Sequence, residues 1–362
     1  MKSKVIFKVL SSRYPAERGG VTLQRAYWPT REWQAMAPES AGFAPDKLAL
    51  MDSAIQSQYT NMNGIIIVRN GYVVHEKYLR RKNPVSVFNV ASVTKSVISA
   101  LIGIAIEQGY IKSVDERVLD FFPEYTFDFT EKRKYDVTLR HLLTMTVPYP
   151  FKNWHEPLDK IRRQSNWAGY AIGIMGQGGR LGTFKYATAG THLLSAVITR
   201  ATGVCAREYA NDHLFRPIGM AAIPDNEQQA YEMEDVFGRR VKGWVHDPKG
   251  NSAGGWGLTL TLRDMARFGY LYLNNGIWNE QAILPETWVA QSTQDNKNGY
   301  GYLWWLRTVG GYSAFAATGD GGNIICCIPE KDMVIAIASQ MIRRYRDRWS
   351  LIEKHILPAM IK

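Results

Sequence analysis

The chain has 362 residues, 46% hydrophobic and 12% aromatic, enough to bury a large core in one domain or two interleaved ones. Its formal net charge is +11, but the basic groups at 80–82, 132–134 and 343–348 lack interleaved aromatics and glycines. Solvated basic faces are therefore expected rather than a nucleic-acid partner, and no segment approaches the roughly 18 apolar residues of a membrane span.

The first forty residues are irregular and read as an arm over the body. Their start is basic, yet the apolar run is short, broken by Lys8 and followed by no small-residue cleavage site. No secretory signal is expected. The cysteines (Cys205, Cys326 and Cys327) are odd in number and unsuited to a disulfide framework or a zinc site, which fits a reducing, cytoplasmic setting. Adjacent strand residues face opposite ways, so Cys326 and Cys327 read as packing residues.

Residues 43–59 have helical periodicity with Pro45 at the start. Two β-branched runs in 64–79 flank Asn70–Gly71, a strong hairpin signal. A long apolar helix is expected over 88–110. Residues 111–250 alternate helical spacing with loops and read as a mostly helical insertion. A helix returns at 259–276, opened by a Thr261–Asp264 capping box. Strands are expected at 300–308, 311–319, 323–329 and 332–339, before a last helix from 348.

This order predicts an α+β sandwich: an antiparallel sheet of about five strands built from both chain ends, flanked by helices. Its domains would be an arm (1–40), a sheet domain (41–110 with 251–362) and a helical domain (111–250). Regular strand–helix alternation, as an all-parallel sheet needs, is absent.

"SVTK" (92–95) places Ser92 and Lys95 on one face of a helix's first turn. The residues alone allow two readings. Ser92 could be a nucleophile with Lys95 as its base, because a hydroxyl needs an adjacent base and burial can make a lysine neutral. Equally, Ser92 could cap a core helix while Lys95 snorkels to water. Downstream, "GTFKYAT" puts Tyr186 just before a helix, and "ATGDGG" (317–322) puts a glycine turn between two strands.

With these three elements in order, residues 40–345 resemble the serine β-lactamase and penicillin-binding-protein superfamily. The likeness is strongest to its class C-like branch, which includes family VIII esterases and 6-aminohexanoate-dimer hydrolases. "SVTK" matches the S-x-x-K motif, "YAT" (186–188) a Tyr-x-Asn variant, and "ATG" (317–319) the Lys- or His-Thr-Gly triad. The resemblance implies an acyl-enzyme on Ser92, with Lys95 and Tyr186 transferring protons. It also implies an oxyanion hole from the backbone N–H groups of Ser92 and Asp320. Thr188, Ala317, Thr318, Gly319, Asp320 and Trp154 would contact substrate.

The chain departs from the antibiotic-binding pattern. Thr188 stands where Asn is common, and Ala317 stands where a cation holds the β-lactam carboxylate. A small ester, amide or short peptide is thus the expected substrate. A D-Ala-D-Ala carboxypeptidase or weak β-lactamase is the alternative within the class. A non-catalytic binding or scaffolding relative is the alternative outside it. Asp320 would favour a substrate amine if it lines the pocket, but it also suits a turn. No cofactor or metal is expected: H-E-x-x-H and Cys–His clusters are absent. The oligomeric state is open.

Overall fold

The computed structural model describes residues 25–361 apart from positions 229, 239 and 343. The segment 1–24, for which no secretory signal is expected, lies outside them.

Helix α1 (Pro45–Gln58) begins on proline, where the missing N–H costs nothing. Strands β1 (Met62–Arg69) and β2 (Tyr72–Tyr78) form the expected hairpin. Asn70 and Gly71 have φ of 53° and 85°, the left-handed pair of a type I′ turn. Strand β3 (Val87–Asn89) precedes α2 (Val93–Glu107). The middle of the chain holds α3 (Leu139–Leu143), α4 (Leu158–Arg162), α5 (Trp167–Ile174), α6 (Thr188–Thr202), α7 (Ala206–Ala210) and α8 (Met233–Val236). Strand β4 (Thr259–Thr261) leads into α9 (Leu262–Leu273). A small ribbon of β5 (Ile277–Trp278) and β6 (Gln281–Ala282) then precedes α10 (Glu286–Ser292). Four strands close the sheet: β7 (Trp305–Val309), β8 (Tyr312–Gly319), β9 (Asn323–Ile328) and β10 (Met333–Ser339). The last helix, α11 (Arg348–Leu351), continues through wider and tighter turns to Ala359.

The main sheet runs β2-β1-β10-β9-β8-β7, antiparallel throughout. It has six strands where about five are expected. Both chain ends contribute, and they meet where β1 pairs with β10. The central strands are buried along almost their whole length and mostly apolar because both faces are covered. Ile65, Ile67, Cys326 and Ile335 pack against α1 and α11. Ile66, Val68, Cys327 and Val334 pack on the other side with α2, α6 and α9. Cys326 and Cys327 therefore fill opposite cores, as strand alternation requires, and none of the three cysteines forms a disulfide.

Three boundaries differ from the sequence expectation. The helix expected over 88–110 starts only at Val93, because Phe88 is paired with Leu260 in a two-stranded ribbon. The strand expected from 300 starts at Trp305, since Leu303 takes a left-handed φ of 62° in a tight turn. The helix expected over 259–276 is α9, entered from β4. Thr261 accepts the Asp264 N–H at 3.1 Å, but the short Asp264 carboxylate accepts the Thr261 hydroxyl, 2.7 Å away. It does not reach back to the backbone as a longer Glu does.

The described part of the arm lies along α9. Arg25 meets Asp332 at 2.5 and 2.7 Å, and Trp28 packs on Tyr270 and Trp278. Buried Arg267 joins the two parts, donating to the Pro29 carbonyl at 3.0 Å and to Asp264 at 2.8 Å. Replacing Arg267 with Ala strands the buried Asp264 carboxylate. It should cost about 3 kcal/mol in urea unfolding and expose the arm to protease before the body; an unchanged midpoint refutes this role for Arg267.

Candidate active site

The site is built at the start of α2. Val90 is tied to the Leu258 carbonyl at 3.0 Å, and the Ala91 N–H donates to Asn89 Oδ1 at 3.0 Å. Ala91 itself sits at φ 49°, a left-handed conformation that costs a non-glycine residue free energy. That turn swings the chain from strand to helix and leaves half-buried Ser92 at the helix entrance. Behind it, Val93, Val97, Ile98 and Leu101 are buried and hold α2 rigidly.

Lys95 lies one turn on and is 1% exposed. Its Nζ is 2.9 Å from Ser92 Oγ and 2.9 Å from the Gly255 carbonyl. Burial disfavours the ammonium ion, and although Glu156 and Asp320 oppose this, the amine falls to about 8. Gly255 must be glycine here, because a Cβ would lie 2.3 Å from Thr188 Cγ2 and 3.0 Å from Lys95 Nζ. Its loop is pinned to α6 by the fully buried His192–Asp247 pair, 3.1 Å apart, and by Ser195, which donates to the Ser252 carbonyl at 2.6 Å.

Tyr186 enters from the segment before α6. Its N–H donates to Asn153 Oδ1 at 2.9 Å, and its ring centre is 5.0 Å from Lys95 Nζ. Burial pushes the phenol well above its usual range, only partly offset by a hydrogen bond with Ser92. Trp154 is 57% exposed, at φ 65°, and stacks on Tyr186 at 4.9 Å and on Trp305 at 5.8 Å. The three rings form one wall. His155 is exposed, with Nδ1 within 2.9 Å of the Asn153 carbonyl oxygen.

On the opposite side β8 passes beneath the Ser92 turn. A Cβ on Gly319 would lie 2.3 Å from the Val90 carbonyl and 3.1 Å from the Ser92 nitrogen. Only a glycine lets the strand approach this closely. Asp320 follows, exposed, at the head of a tight turn. Its charge reaches Lys95, Tyr186 and Tyr345.

The structure thus brings together Ser92, Lys95, Tyr186, Trp154, Gly319 and Asp320. Thr318 is half-buried on β8. Ala317 is fully buried among the core residues between the sheet and α2, and it presents no surface to a ligand. Thr188 is also buried, with its N–H and its hydroxyl directed at Glu156. Sequence reasoning passes over Glu156, Gly255 and Trp305. A signal for Glu156 exists: α6 opens on Ala187, which cannot cap a helix, so its first amides need an acceptor from elsewhere.

A helix-borne serine with a buried lysine one turn on, beside an antiparallel sheet, is the arrangement of the β-lactamase/transpeptidase fold. The sequence profile of the Beta-lactamase family matches residues 54–348, and the chain belongs to that family. It is 22% identical over 256 residues to the 6-aminohexanoate-dimer hydrolase of Paenarthrobacter ureafaciens, covering 66% of this chain and 59% of that protein. A family VIII carboxylesterase superposes with a TM-score of 0.61 at 17% identity, over 90% of this chain and 99% of that one. The class C β-lactamase from Rhodobacter sphaeroides gives 0.61 at 16% identity, over 87% and 99%. These likenesses show the shared fold. Among the described residues no helix is long and apolar enough to cross a membrane.

Gly319→Ala should drive a methyl group into the Ser92 turn and lower kcat by about 10²-fold or more, if that turn supplies an oxyanion donor. Turnover equal to wild type would show that the close approach is unimportant for chemistry.

Proposed function

We propose that the chain is a serine hydrolase that cleaves a small ester or amide through an acyl-enzyme on Ser92. The observation that carries this reading is the 2.9 Å contact between a buried amine and the Ser92 hydroxyl. With its pKa near 8, a useful share of Lys95 is neutral at mildly alkaline pH. The neutral amine takes the Ser92 proton as Oγ bonds to the substrate carbonyl carbon. The backbone N–H groups of Ser92 and Asp320 hold the resulting oxyanion. Tyr186 keeps its proton, because burial raises its pKa, and it passes that proton to the leaving group as Lys95 returns one to the phenol. Collapse then breaks the ester or amide bond. Water repeats the sequence in reverse and frees Ser92.

The aromatic wall suits an apolar acyl group. Asp320, exposed beside Lys95, favours a substrate bearing an amine, and buried Ala317 supplies no cation for a β-lactam carboxylate. Ester or linear-amide hydrolysis is therefore preferred over β-lactam turnover. Cysteines without disulfides accord with work in the cytoplasm.

The test is p-nitrophenyl acetate and butyrate hydrolysis by wild type and Ser92→Ala, with intact mass read during turnover. Loss of activity in the variant and an acyl adduct on wild type are expected. The wild-type kcat/KM should rise with pH through about 8, since the Lys95 ammonium below that pH has no lone pair to accept the proton. No activity and no adduct would leave a binding or scaffolding role. For Asp320→Asn, rates on cationic substrates should fall relative to neutral ones; an unchanged ratio removes the amine preference.

A further inference from the structure

Glu156 lies outside the three family motifs, yet its carboxylate binds the helix that begins in the second of them. One carboxylate oxygen accepts the Thr188 N–H at 2.5 Å and the other accepts the Ala189 N–H at 2.7 Å. These are the first two amides of α6, a fifteen-residue helix whose own cap position, Ala187, offers no acceptor. The cap thus comes from more than thirty residues upstream, out of the loop that also provides Trp154 and the Asn153 acceptor for Tyr186. Lys185 doubles the clamp by donating to the Tyr149 and Phe151 carbonyls at 3.0 and 2.6 Å. A carboxylate is well placed there, because a helix N-terminus favours an anion.

Burial pushes the Glu156 carboxyl up, but the Thr188 and Ala189 N–H groups and Lys95 oppose this and favour its ionised form, and that charge in turn favours the Lys95 ammonium. The amine is faced by Ser92 from its own helix, the Gly255 carbonyl from the 253–257 loop, Tyr186 from the segment before α6, Glu156 from the loop before α4, and Asp320 from the end of β8. Glu156 in turn is faced by Lys95, Tyr149, Tyr170 and Tyr186. Of these, Lys95 is the one group that carries a positive charge.

We propose that Glu156 is a positioning residue that ties the placement of Tyr186 to the charge state of Lys95. Its two backbone bonds hold α6, and therefore Tyr186, beside α2. Its charge favours the protonated amine against a burial that works the other way. This role rests on the acyl-enzyme reading for its purpose, but not for its measurement.

The sign is fixed by the charges. Removing the Glu156 anion removes a stabiliser of the ammonium, so the Lys95 midpoint falls. The experiment follows the Lys95 13Cε resonance of lysine-labelled protein against pH, assigned by its loss in Lys95→Ala. It compares wild type, Glu156→Gln and Glu156→Gln with Ala187→Ser, in which a local hydroxyl can cap α6. The kcat/KM profile for p-nitrophenyl butyrate is measured alongside. In both Glu156→Gln proteins the midpoint and the acid limb should move down by about one pH unit or more, while Ala187→Ser restores thermal stability without restoring the midpoint. A Lys95 midpoint equal to wild type in either folded variant overturns the proposal, whatever happens to the rate. If wild type proves inactive, the acyl-enzyme reading fails, and the resonance still decides whether Glu156 governs Lys95.

Discussion

The site depends on the removal of one amine from water. A lysine at 1% exposure has exchanged its hydration for a serine hydroxyl and a single backbone carbonyl. That exchange is unfavourable for the ammonium form and close to neutral for the amine, which converts a strong base into one that titrates near physiological pH. No single element achieves this. Helix α2 supplies the amine, the 253–257 loop supplies the carbonyl, and the segment before α6 supplies an aromatic lid. These parts come from three regions more than sixty residues apart in sequence.

The sheet exists, in functional terms, to make those regions meet. Its central strands are apolar on both faces, so helices must cover both. The face that receives α2 and α9 also receives α6, and the Ser92 turn is wedged between that helical layer and β8. A Cβ on Gly319 would come within 2.3 Å of the Val90 carbonyl, which shows how little tolerance remains. Strain at Ala91 is accepted because the surrounding packing determines the turn.

Much of this was legible from residues alone. The Asn70–Gly71 hairpin, the double-faced Cys326–Cys327 pair and the helix starting on Pro45 follow from local rules of turn geometry, alternation and capping. Helix α2 lost its first turn for a non-local reason. Phe88 pairs with Leu260, and no pattern within either segment announces the partner. The site divides in the same way. Ser92, Lys95 and Tyr186 carried a recognisable spacing and order. Glu156 did not, since its contacts run across thirty residues to another helix, and only the uncapped Ala187 hinted that an acceptor was missing. Ala317 and Thr188 show the converse, as positions marked by a motif whose side chains the fold encloses.

Trp154 gives the rim a property of its own. An indole more than half open to solvent, on a left-handed backbone, is an unusual investment for a protein whose other large rings are mostly buried. The outermost ring of the stack keeps apolar surface wet while nothing is bound. A ligand that covers it releases that water, so part of the affinity for any apolar ligand is stored in the empty protein as unfavourable hydration. Size selection then follows from how much of one ring a ligand can cover, and because that ring stacks on both Trp305 and Tyr186, its position is coupled to the phenol that faces Lys95.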